Sequence, residues 1–277
     1  MRAARVSAGA VLVFAGIVPA SGQLPLTSLK STGQTVSPAY EGWYRNPDGT
    51  FTMSFGYYNR NASEVVEIPI GKNNFVSPGP PNQGQPSEFQ SRRHWGVFGV
   101  TVPADFGKKE VVWTLTFRDA TNAIPGTLHP NWQIDALEGE AGSGNTPPAL
   151  KFAENGTEGR GPLGVTAGPL PAAAGTPLAI TVWGRDDGKG ATSVASAGRG
   201  TPPPVTLAWF KHQGPGPVTF APATGRLASA GGQVTSQVTF SAPGDYIVRV
   251  RANDSSVAGA GHAQCCWTNG FVKVTVK

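Results

Sequence analysis

The chain has 277 residues, among them 37 glycines, 25 prolines and two cysteines, with a formal charge of +5. That composition excludes a helical bundle and a disulfide-stapled mini-protein and points to many short strands joined by turns. The charge is uneven, nine basic against eleven acidic residues over 23–140 and eleven against six over 141–277. No basic cluster with interleaved aromatics marks a nucleic-acid groove.

Met1 to Gly22 reads as a signal peptide. Arg2 and Arg5 precede an apolar run from Ala8 to Val18, and small residues permit cleavage after Ala20 or Gly22. The run is too short to span a bilayer and no later segment is long enough, so no membrane span is expected. The mature chain, with its charge reduced to +3, is expected to be exported, periplasmic or extracellular.

Residues 23–138 read as a first β-sandwich domain. Trp43-Tyr44, the turn Asn46-Pro47-Asp48-Gly49 and Thr50 to Tyr58 predict a hairpin: proline presets one dihedral and glycine accepts a positive one. Phe51, Met53, Phe55 and Tyr57 share a face, an aromatic stripe better explained by core packing than by a ligand platform. Val65 to Ile70 is a further strand and Val76 to Pro86 a long proline-rich loop. Trp95 to Val102 and Val111 to Phe117 alternate with period two, joined by Pro103 to Glu110, a connection of hairpin-loop length. Ile124 to Ile134 is expected to lie extended over the sandwich.

Residues 139–148, GEAGSGNTPP, form a linker by composition. Residues 149–277 form a second domain of roughly seven strands. Ala149 to Phe152 opens it, a glycine-rich loop runs from Asn155 to Ala174, and Leu178 to Trp183 follows. After a polar loop from Gly184 to Gly200 come Val205 to Lys211, Val218 to Phe220 and Gln233 to Phe240. In the last stretch Tyr246, Val248 and Val250 alternate with Ile247, Arg249 and Arg251, a strand with one wet face. Val272, Val274 and Val276 then alternate with Phe271, Lys273, Thr275 and Lys277, and the two strands should pair antiparallel.

The entry Pro243-Gly244-Asp245-Tyr246 into those alternating aliphatics resembles the penultimate strand of immunoglobulin-like domains, including the PKD-like modules of bacterial exported proteins. The resemblance covers the last hundred or so residues. It implies an immunoglobulin-like sandwich in which Tyr246 packs at a corner with its hydroxyl bonded back to the main chain, and in which Trp209 is buried on a central strand. The cysteine pair that brackets such a tryptophan in antibody domains is missing. The fold class expected is therefore all-β, two tandem immunoglobulin-like antiparallel sandwiches after a signal peptide. Fold of this kind does not dictate function.

The chemistry-bearing residues are few. Cys265 and Cys266 are adjacent in a chain expected to meet an oxidising compartment. Neighbouring Cα atoms lie about 3.8 Å apart, below the usual disulfide range of about 4.4 to 6.8 Å, so a bond between them would be strained. A vicinal disulfide is still the first reading, because it rigidifies the loop and needs no partner; buried thiols, a bridge to another chain and a soft-metal site are the alternatives. His262 completes His-x-x-Cys-Cys, which would suit copper or zinc; His94, His129 and His212 stand alone. Asp135 with Glu138, and Asp186 with Asp187, are carboxylate pairs in polar loop contexts, and Asp186, Asp187, Asn253 and Asp254 could hold calcium, although no known spacing is present. No Gly-x-Ser-x-Gly, His-Glu-x-x-His, phosphate-loop or haem pattern occurs.

The reading is a non-catalytic binding or structural module without cofactor, its partner an unknown protein or glycan. Recognition is assigned to loops held on rigid sheets, Val76 to Arg93 and Gly259 to Thr268, with Arg92, Arg93, His94, His262, Cys265, Cys266 and Trp267 as binding candidates. A periplasmic copper or zinc carrier using His262, Cys265 and Cys266 is one alternative. A carbohydrate-binding module is the other, marked by an exposed flat ring at Trp43, Trp95, Trp132 or Trp267.

Overall fold

The computed structural model of the chain describes residues 30–134, 145–188, 205–254 and 266–277. Strand is the dominant element among these residues; the helical content among them is one 3₁₀ turn, Pro130–Trp132.

The first sandwich is built from β1 (Val36–Arg45), β2 (Phe51–Asn59), β3 (Val66–Glu67), β4 (Asn74–Ser77), β5 (Glu88–Phe89), β6 (Arg92–Val102), β7 (Val111–Phe117) and β8 (Ala120–Gly126). One sheet has the order β1-β2-β6 and the other β4-β7-β8, with β3 and β5 paired separately. The β1–β2 hairpin closes as its turn residues dictate. Gly49 takes φ +86°, its N–H donates to the Asn46 carbonyl at 3.0 Å, and Asp48 accepts from the Thr50 N–H and hydroxyl. The aromatic stripe is core: Phe55 stacks on Phe98 at 5.4 Å and meets Trp113 edge-on at 6.4 Å.

Three local expectations are corrected. Val65 to Ile70 contributes only the two residues of β3. Strands β6 and β7 are not a hairpin; they lie in different sheets, and Pro103 to Glu110 crosses between them with Phe106 buried in the core. The stretch after Phe117 turns at once through Arg118, at φ +56°, so that β8 pairs with β7 along its whole length. A backbone hairpin can thus form on a sequence whose alternation is too weak to announce a strand.

The second sandwich contains β9 (Ala149–Lys151), β10 (Val165–Ala172), β11 (Leu178–Arg185), β12 (Val205–Gln213), β13 (Val218–Ala221), β14 (Thr224–Leu227), β15 (Gly232–Phe240), β16 (Gly244–Asn253) and β17 (Trp267–Val276). Its sheets are β10-β17-β16-β12-β14 and β13-β15-β11-β9. Two of these strands lie where loop was expected: β14, and β10, which runs parallel to β17 with a register shift between Ala167 and Leu170. The Gly168-Pro169 step interrupts the alternation that would have exposed β10 in the sequence. Strands β16 and β17 pair antiparallel from Gly244 to Asn253. Val248, Val250, Val272 and Val274 lie in the core with Trp209, which stacks on Phe220 at 6.1 Å. The Tyr246 hydroxyl donates to the Ala242 carbonyl at 2.9 Å, closing the sandwich corner.

The protein is therefore all-β, two tandem immunoglobulin-like sandwiches, each with its own hydrophobic core. Residues 1–22 and most of the expected linker lie outside the described residues; of that linker, 145–148 are packed on the second sandwich, where the Asn145 amide donates to Asp254 at 2.8 Å. One further expectation fails in an instructive way. The face of β16 carrying Ile247, Arg249 and Arg251 is not wet: Arg249 is 2% exposed, because the first sandwich sits against it.

Candidate functional site

The two sandwiches meet where β6 and the 82–91 segment of the first face β12, β16 and β17 of the second. Strand β6 is shaped for the contact by a bulge. Phe55 faces Phe98 across the ladder but Tyr57 faces His94, so Trp95, Gly96 and Val97 fall out of register, as bulges do when they re-aim a strand. Gly96 sits at φ +48°, and a Cβ on it would lie 2.4 Å from Cζ2 of Trp267. Only glycine permits this approach. The Gly96 carbonyl then accepts from the Asn269 amide at 2.6 Å and from the Trp267 indole at 3.4 Å.

Main-chain bonding crosses the junction as well. The Ser87 N–H donates to the His212 carbonyl at 2.7 Å. The His212 ring, fully buried, places Nε2 2.7 Å from the Gly84 carbonyl; a carbonyl can only accept, so Nε2 carries the hydrogen. Gln213 exchanges amide hydrogen bonds with Asn82 and donates to the Gln85 carbonyl at 2.6 Å. Tyr44 reaches the Leu163 N–H with its hydroxyl at 3.3 Å, and burial pushes that phenol up to about 12.

Charge is concentrated here. Lys211 is buried and pairs with Glu67 at 2.5 Å and Glu88 at 3.5 Å. Burial, opposed by Lys211 and reinforced by Glu67, pushes the Glu88 carboxyl up to about 7. Arg249 and Arg251 lie over the ring of Phe210, their guanidinium carbons 4.7 and 5.8 Å from its centroid. The same ring meets His94 edge-on at 5.9 Å, and His94 stacks on Tyr57 at 5.0 Å. Burial first, and then the neighbouring guanidinium groups, push His94 and His212 down to about 3. Burial also lowers Arg249 to about 9, which leaves it charged at neutral pH. Beside this seam a cleft of about 310 Å³ opens, lined by residues of both sandwiches including Phe98, Leu163, His212, Phe271 and Lys273.

The binding candidates read from the sequence are placed differently from one another. His262 and Cys265 lie outside the described residues. Cys266 is fully buried and disulfide-bonded. Trp267 is 1% exposed and is an anchor of the seam. His94 is also in the seam, whereas Arg93 serves the first sandwich, pairing with Glu41 at 2.6 Å and lying 5.1 Å from the Trp95 ring. Arg92, at φ +75°, lies 5.9 Å from Tyr58. Much of the Val76 to Arg93 loop is occupied by its bonds to β12. Of the four tryptophans, Trp43 and Trp95 are half-buried and Trp132 is 49% exposed, its ring 5.5 Å from Tyr40.

The structure brings Asp186 and Asp254 to one end of the second sandwich, and burial raises the Asp186 carboxyl to about 6. Asp187 there accepts from the Thr146 N–H and hydroxyl, both at 3.0 Å. Among the described residues no group of three or more histidine, cysteine, aspartate or glutamate side chains is arranged to hold a metal ion. Sequence reasoning missed Lys211, His212, Arg249, Arg251 and Asn269. The one signal that could have found them is the density of charged and amide side chains inside strands whose other face is wholly apolar.

No protein-family model matches the sequence, and no curated protein matches it. Among solved structures, the D0-D1 domain of Intimin is similar at 12% identity over 87% of this chain and 100% of that one, with a TM-score of 0.26. The Yersinia pseudotuberculosis adhesin InvE is 12% identical over 87% of this chain and 58% of its own, TM-score 0.25. Domains 4 and 5 of the S-layer protein SbsC are 12% identical over 88% and 98%, TM-score 0.23. Likenesses at this level carry no argument, and the fold rests on the sheets themselves.

Proposed function

We propose that the chain is an exported, non-catalytic module in which two sandwiches, residues 23–138 and 149–277 joined by 139–148, act as one stiff binding or structural unit. The observation that carries this reading is the sealed junction. A flexible tandem would leave the β16 face wet, whereas here Arg249, His212 and Trp267 are buried, and His212, Trp267 and Asn269 are bonded to the main chain of the neighbouring sandwich. Interdomain contact that is buried and hydrogen-bonded opposes the relative motion expected of loosely tethered domains. Export is supported by the leader-like residues 1–22 and by the disulfide at Cys266, since such bonds persist in oxidising compartments. No helix of the described residues is long and apolar enough to cross a membrane.

The partner would be a protein or glycan met by surfaces away from the seam. Trp132 favours a glycan contact as a second reading, because an exposed indole on a 3₁₀ turn that packs against Tyr40 of β1 is a stacking surface; loss of glycan retention in Trp132→Ala would support it. The copper or zinc alternative needs Cys266 as a thiolate, and Cys266 is disulfide-bonded.

The test is small-angle scattering combined with calorimetry on residues 23–277. A single rigid shape and one cooperative transition are expected. Scattering that demands an ensemble of interdomain angles, together with two separate transitions, would sink the reading.

A further inference from the structure

The seam holds two positive charges that nothing among the described residues balances. Arg249 and Arg251 form no ion pair among the described residues, while Lys211, Arg93, Arg118 and Arg185 each have a carboxylate. Arg249 donates from Nη1 to Asn269 Oδ1 at 3.1 Å. The Nε–H groups of both arginines are buried without an acceptor. Tyr57, the nearest phenol, is held neutral by burial and contributes no negative charge. Glu88 is engaged with Lys211.

Leaving a buried guanidinium uncompensated costs several kcal/mol, and unpaired buried donors are rare enough to need an occupant. Water could accept the two N–H groups but would leave both charges standing. We propose that the seam binds a small monovalent anion, a halide or a carboxylate, between the Nε–H groups of Arg249 and Arg251 beside the ring of Phe210. Phe210 of β12 and His94 of β6 flank the two guanidinium groups. His94 is not a donor to it: Nε2 lies 3.2 Å from the Ser91 carbonyl and so carries the hydrogen, which leaves Nδ1 a bare lone pair. Arg251, less buried than Arg249, is the side from which the ion enters. An anion so placed would also tie β16 to the junction by two charge-assisted bonds.

The proposal depends on the docked arrangement, and scattering reports docking separately from ion binding, so the two can fail independently. The experiment is bromide soaking of crystals with anomalous diffraction, paired with melting curves in bromide and fluoride at equal ionic strength. An anomalous peak between the two guanidinium groups is expected, with bromide raising the melting temperature of the wild type and at least ~10-fold weaker half-saturation in Arg251→Met. Arg249→Met serves as a second variant if it folds; the wild-type crystal decides if it does not. Acetate that displaces bromide would make the natural occupant a carboxylate, and acetate without effect would make it a halide; both uphold the site. Bromide found only at surface side chains, with water alone in the seam, or an undiminished response in Arg251→Met, would overturn it.

Discussion

Gly96→Ala is the substitution that most directly probes how the two sandwiches fit. Its φ of +48° places the residue in the left-handed region, where a Cβ costs about 1–2 kcal/mol. The added methyl would also lie 2.4 Å from Cζ2, 2.9 Å from Cε2 and 3.0 Å from Nε1 of Trp267. That ring cannot step aside, being 1% exposed and bonded to the same residue's carbonyl. Overpacking of this kind adds about 1–3 kcal/mol. The total loss should therefore be about 2–5 kcal/mol, measured by urea unfolding followed in the far ultraviolet. Replacing the indole separates the two causes: in a Trp267→Leu background the same glycine change should cost only its backbone share, giving a coupling energy of about 1–3 kcal/mol. A Gly96→Ala protein within about 0.5 kcal/mol of wild type, or a coupling below that figure, would refute the interlock.

Acid should weaken the seam through its histidines. The folded value of His212 lies near 3 against an ordinary 6.5, so its contribution is complete above pH 6.5 and is lost as pH falls toward 3, by up to about 1.4 kcal/mol per pH unit. Stability measured from pH 7 to pH 3.5 should fall less steeply in His212→Gln, which keeps a donor for Gly84; an unchanged slope would count against the assignment. Glu88 acts in the opposite sense, since its folded value of about 7 lies above the ordinary 4.5: its stabilising share is complete below pH 4.5 and is lost as pH rises through 7. Glu88→Gln should flatten that limb of the same titration. Lys211→Met should destabilise by about 3–5 kcal/mol by stranding Glu88, and Lys211→Met combined with Glu88→Gln should recover part of the loss in denaturant melts. Tyr246→Phe should cost about 0.5–1.5 kcal/mol through the lost bond to Ala242, with no change in scattering profile.

Much of the architecture was legible because alternation and turn chemistry are local. The β1–β2 hairpin followed from Pro47, Asp48 and Gly49, β7 from its period of two, and the Tyr246 corner from a single entry motif. Strands with little side-chain signal escaped: β8 holds Pro125 and Gly126, β10 is broken by Gly168-Pro169, and β14 is four residues long. Their existence is decided by a neighbour that offers hydrogen bonds. The site was barely legible. Trp267 and His94 were singled out as surface recognition residues, and both lie in the junction, Trp267 buried and His94 half-buried.

By itself the sequence determined the class of the protein: strands of period two, turns at Gly and Pro, valines for two cores and a leader-like start. It could not determine what becomes of the second face of β16. Arg249 and Arg251 alternate with core residues as solvent-facing arginines would, and their burial is set by β6, more than 140 residues earlier in the chain. Alternation reports that a strand has two unlike faces, whereas whether the polar face meets water or another sandwich depends on contacts between distant segments. The tertiary structure alone made that choice, and with it turned an apparently wet strand into a buried cationic seam.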